Sequence, residues 1–95
     1  MGKTATVNGV LDYMVKDCEH SKESVSLAIK DKDWEYAQMH INRLKGLKFA
    51  FEELELYAMD NGHAMLKETA RDNAVALGNQ LTNLSEWLRR ARIAN

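Results

Sequence analysis

Apolar residues recur at alternating intervals of three and four along nearly the whole chain, the spacing that lines one face of an α-helix. The pattern breaks twice, near Lys30–Asp33 and near Asp60–His63, and so divides the 95 residues into three stretches of similar length. In the first, Val7, Leu11, Met14, Cys18, Val25 and Ala28 share a face, with Ser21 filling the gap. In the second the face is Trp34, Ala37, Ile41, Leu44, Leu47, Phe51, Leu54 and Ala58, and His40 falls on the same side. The third carries Leu66, Ala70, Asn73, Leu77, Leu81, Leu84, Leu88 and Ala91, a nearly unbroken heptad seam. The spacing predicts helices over about 6–30, 33–60 and 64–93, after a short flexible stretch at 1–5, within a single helical domain spanning 1–95.

Residues at the breaks agree with this division. Thr6 can cap the first helix and Asp33 the second, each offering a side-chain oxygen to the unpaired amides of a first helical turn. Asn61-Gly62 closes the second, since glycine enters the left-handed conformation at little cost. Arg89, Arg90 and Arg92 suit the negative pole of the third. Helices of this length are rods roughly 40 Å long, and turns so short force neighbours to run antiparallel. The expected fold is all-α, an elongated antiparallel three-helix bundle. Gly46 and Gly78 lie equally far from Gly62, hence at one height in the second hairpin, a place for close approach or a kink.

Six apolar residues do not fit the inner stripes. At 100° per residue, Tyr13 and Leu27 on the first helix, Phe49 and Leu56 on the second, and Val75 and Ile93 on the third point outward. Phe49 and Leu56 stand two turns apart on one helix, the arrangement of a contiguous interface patch. The narrow third seam is typical of bundles that complete their cores by pairing. An interface between copies is therefore expected at Leu77, Leu81, Leu84, Trp87 and Leu88, giving a dimer or larger homo-oligomer.

Composition narrows the function classes. No proline occurs, as continuous helix requires, and 13 basic against 14 acidic residues leave no global field for nucleic acid or an anionic membrane. Nucleic-acid binding would have to rest on Arg43, Lys45 and Lys48 or on Arg89, Arg90 and Arg92, each set faced by nearby glutamates. The single cysteine, Cys18, cannot form an internal disulfide and sits on an apolar face, which suits a reducing compartment and an inert, packed thiol. The first residues lack the apolar stretch of a secretion signal, and no run approaches the roughly 18 apolar residues that span a bilayer, so cytoplasm is the expected location. Glu19, His20 and Glu23 share one helical turn, but the Glu-x-x-His pairs of di-iron bundles and the His-Glu-x-x-His of zinc proteases are absent. Neither a metal, a cofactor nor enzymatic activity is expected.

Asp33-Trp34-Glu35 through Asn42-Arg43-Leu44-Lys45-Gly46 resembles the acceptor helix of histidine phosphotransfer domains, which are helical bundles of about this size. In that family an exposed mid-helix histidine receives a phosphoryl group, and the lysine and glycine beside it serve docking. Here Asn42 holds the acceptor position and has no nucleophilic nitrogen, while His40, about 200° round the helix, turns toward the core. The resemblance therefore implies a docking module without phosphotransfer. Together these readings lead to a non-enzymatic regulatory or accessory protein that binds another protein through Asn42, Lys45, Lys48, Phe49 and Leu56. Two further readings are an oligomer that binds a small anionic ligand, such as a nucleotide, and a weak nucleic-acid binder.

Overall fold

Two turns of the same construction set the topology. The computed structural model describes residues 3–94, with side chains from Gly9 onward, and forms α1 (Lys3–Lys30), α2 (Trp34–Asp60) and α3 (Ala64–Ala94). At the end of α1 the amides of Lys32 and Asp33 donate to the carbonyls of Ile29 and Ala28 at 3.1 and 2.8 Å. At the end of α2 the amides of Gly62 and His63 donate to Met59 and Ala58 at 3.4 and 2.9 Å. Each pair is a Schellman closure, and each turns on one residue in the left-handed region, Lys32 at φ 61° and Gly62 at φ 70°. Asp33 then caps α2, its Oδ1 accepting from the Tyr36 amide at 3.2 Å. The helices are therefore antiparallel in sequence order.

The expected three-helix bundle is present, and no strand occurs among the described residues. α1 starts earlier than its periodicity indicated: it already includes 3–5 and runs through Thr6, while 1 and 2 lie outside the described residues. α2 is the central element. It packs along both neighbours, most extensively against α3, whereas α1 and α3 touch only over a short stretch. The result is a flattened body of 50 × 23 × 14 Å.

Ile41, Leu44 and Phe51 of α2 are sealed from solvent at the centre, between Cys18, Val25, Ala28 and Ile29 of α1 and Ala74, Leu77, Leu81 and Leu88 of α3. Burying each large side chain contributes about 1.5–3 kcal/mol. Asn73, a polar residue on the α3 seam, is satisfied by its own helix, with Nδ2 donating to the Thr69 carbonyl at 2.8 Å.

This packing corrects the expected interface between copies. Leu77, Leu81 and Leu88 are buried inside the chain and Leu84 is packed against the same core, because α2 presents a face broad enough to cover the α3 seam. Of the five residues assigned to that interface, only Trp87 presents much surface to solvent, at 39%. The glycines behave differently from one another. A side chain at Gly46 would enter open space, whereas one at Gly78 would meet the Lys48 stem, with Cε at 3.1 Å. The close approach is thus a lysine crossing a glycine.

Lys32 holds a conformation that costs a residue with a Cβ about 1 kcal/mol, so Lys32→Gly is expected to raise the unfolding free energy by that amount and Gly62→Ala to lower it similarly. Gly46→Ala, in open helix, is expected to add about 1 kcal/mol. Urea unfolding checks all three through shifts in midpoint at constant slope.

Candidate functional site

The outward face of α2 collects what the bundle leaves unused. At 100° per residue, Gln38, Asn42, Lys45, Phe49 and Leu56 fall within a stripe about 60° wide. Phe49 and Leu56 are 61% and 54% exposed. Gln38 Nε2 donates to Oδ1 of the exposed Asn42 at 3.0 Å. Lys45 is exposed and has no ion-pair partner among the described residues. Asn42, Lys45, Phe49 and Leu56 are therefore brought together as the sequence suggested. Lys48 is not: it leans toward α3, crosses Gly78 and pairs with Glu52 at 2.6 Å.

Most other cations near this face are neutralised within the chain. Arg43 grips Asp17 of α1 through two bonds of 3.1 and 2.8 Å, and Arg71 of α3 reaches Glu55 of α2 at 2.9 Å. Arg89 and Arg90 share Glu86, and hydrogen bonding to Arg89 is the main reason that carboxyl is held down at about 2. Both small clusters considered for nucleic acid are largely discharged, leaving Lys45 and Arg92 without ion pairs among the described residues.

Arg92 occupies a position that periodicity did not single out. Two clefts of about 340 and 400 Å³ adjoin where α2 begins and α3 ends, and Gln38 and Arg92 line both. Ser85, Leu88, Arg89 and Ile93 complete one, and Trp34, Glu35, Met39 and Asn42 the other. Met39 and Tyr57, exposed at 52% and 51%, also escaped the inner-stripe reading. Their separation of 18 residues, five helical turns, was the available signal.

A third cleft, of about 210 Å³, opens between α1 and α3 where the two helices diverge, with Cys18 and Phe51 among its lining. Burial pushes the Cys18 thiol up despite Lys22 nearby, which keeps it a poor nucleophile. Among the described residues, no group of three or more His, Cys, Asp or Glu side chains stands close enough to hold a metal ion. No described helix is long and apolar enough to cross a membrane.

His40 is turned inward, as its position implied, and is 8% exposed. Its ring meets Tyr36 edge-on at 4.6 Å, yet neither ring nitrogen has a hydrogen-bond partner among the described residues, nor does the Oγ of fully buried Ser21. Burial lowers the His40 pKa, Arg43 and His20 add to that, and Asp17 opposes it. No protein-family model, curated protein or solved structure matches the chain.

The folded state keeps His40 neutral to a lower pH than the unfolded chain does, so it binds fewer protons there. The associated stability is full above 6.5, the ordinary histidine value, and is lost as pH falls through the lowered folded value. Urea midpoints of the protein are expected to be lower at about pH 5 than at about pH 7.5, with His40→Leu narrowing the difference. The Glu86 contribution is lost in a separate window, between 4.5 and about 2.

Proposed function

We propose that this chain is a small non-enzymatic regulatory or accessory protein that acts by binding another protein through the outward face of α2. The observation that carries the reading is the exposure of Phe49 and Leu56, at 61% and 54%, on a helix whose opposite face already fills the core. Large apolar side chains beside an exposed asparagine and a lysine that has no ion-pair partner among the described residues have the composition of an interface centre with a polar rim. A docking role without phosphotransfer, as the resemblance to histidine phosphotransfer domains implies, uses the same exposed Asn42, Lys45 and Gly46. A reducing cytoplasm suits the buried free thiol of Cys18.

The clefts that meet at Gln38 and Arg92 favour a second reading, in which a small anionic ligand pairs with the Arg92 guanidinium, which has no ion-pair partner among the described residues. Stabilisation by nucleotides at millimolar concentration in a thermal-shift screen is its expected signature, lost in Arg92→Glu.

For the leading reading, Phe49→Asp combined with Leu56→Asp is expected to leave helicity unchanged and to reduce capture of a host protein by the tagged chain at least tenfold. Undiminished capture by the folded double variant overturns it.

A further inference from the structure

The charges on α2 are segregated along its length. From Trp34 to Lys48 it carries Arg43, Lys45 and Lys48 against Glu35 alone, and from Phe49 to Asp60 it carries Glu52, Glu53, Glu55 and Asp60 with no cation. Arg43, Lys48, Glu52 and Glu55 are paired within the chain. Among the described residues Lys45 and Glu53 have no ion-pair partner, and each stands four residues from Phe49, on opposite sides of it along the helix.

We propose that the occupant of the outward face of α2 is a second copy of this chain, packed antiparallel about a two-fold axis at Phe49. This rests on reading that face as a protein-binding surface and names its partner. In that register each residue lies across from the one equidistant from Phe49 on the other copy. Lys45 meets Glu53 of the second copy and the reverse, giving two ion pairs around an aromatic contact, while Gln38 meets Asp60 and Asn42 meets Leu56. A parallel register sets every charge beside its own like, which is unfavourable. The open space at Gly46 lets the backbones approach beside the aromatic contact. A stable interface takes about 800 Å² per partner. A helix about 40 Å long and about 10–12 Å across supplies roughly half of that, so the flanks of α1 and α3 beside α2 must contribute the rest. The interface expected on α3 is thereby replaced by one on α2, since the α3 leucines are consumed by the core.

Sedimentation equilibrium of the purified chain at about 10–500 µM, together with charge reversal, tests the proposal. The protein is expected to approach twice the 10.8 kDa chain mass. Lys45→Glu and Glu53→Lys each place like charges across both contacts and are expected to weaken the dimer about tenfold. Mixing these two variants restores opposite charges at both contacts, so a heterodimer at least as tight as the original is expected. Both positions are exposed, and circular dichroism confirms that the variants remain folded. Oxidative cross-linking reads the register: Phe49→Cys is expected to join to its own copy, whereas Leu56→Cys, about 20 Å from its counterpart, is not. A chain that stays at monomer mass throughout, single reversals without effect, a mixture that forms no heterodimer, or self-linking by Leu56→Cys overturns the proposal. Loss of host-protein capture by the Phe49→Asp, Leu56→Asp variant of a monomeric chain would leave the α2 binding surface standing while removing the second copy as its occupant.

Discussion

The structure depends on α2 burying one face against two helices at once. α1 and α3 barely meet, so each is held almost entirely by the central helix. That demand explains why the side chains most completely removed from water include Ile41, Leu44 and Phe51, and why Ala37 and Ala58 keep the helix narrow where its neighbours close in. It also explains the flattened outline and the cleft between α1 and α3. The two Schellman turns serve the same end, returning the chain alongside α2 within three residues on both sides. One of them does so through a lysine in the left-handed region, a local cost of about 1 kcal/mol that the packing of α1 against α2 outweighs.

Electrostatics acts on this fold chiefly by cancellation. Arg43 with Asp17 and Arg71 with Glu55 tie α2 to its neighbours, but exposed pairs of this kind contribute about 0–1 kcal/mol each. Their larger consequence is at the surface. Together with the pairs at Glu52 and Glu86, they consume Arg43, Lys48, Arg89 and Arg90 and so remove the clustered positive charge that phosphate binding needs.

The seam between α1 and α2 carries a different tension. His40 and Ser21 are withdrawn from water without hydrogen-bond partners among the described residues, an arrangement that reduces the net gain from burying the apolar groups around them. The aromatic edge of Tyr36 offers His40 partial compensation. Because the charged form of the imidazole is the one most penalised there, the stability of this seam is coupled to acidity while that of the α2 and α3 seam is coupled mainly to packing.

The sequence by itself determined three helices, their order and antiparallel directions, and nearly every member of the inner stripes, because a period of 3.6 residues and turn chemistry at Asp33 and Asn61-Gly62 are local properties. It also identified the outward group of Tyr13, Leu27, Phe49, Leu56, Val75 and Ile93, all of them exposed. Only the tertiary structure decided which faces meet. A heptad seam says that Leu77, Leu81 and Leu88 will be covered but not whether a second chain or α2 covers them, and here α2 does. The same holds for charge: whether Lys48 stands at a binding rim or lies over Gly78, and whether Arg92 is bonded or open to a cleft, depends on how one helix is rotated against the next. That rotation is set by the joint packing of side chains distant in sequence, which no single stretch of the chain encodes.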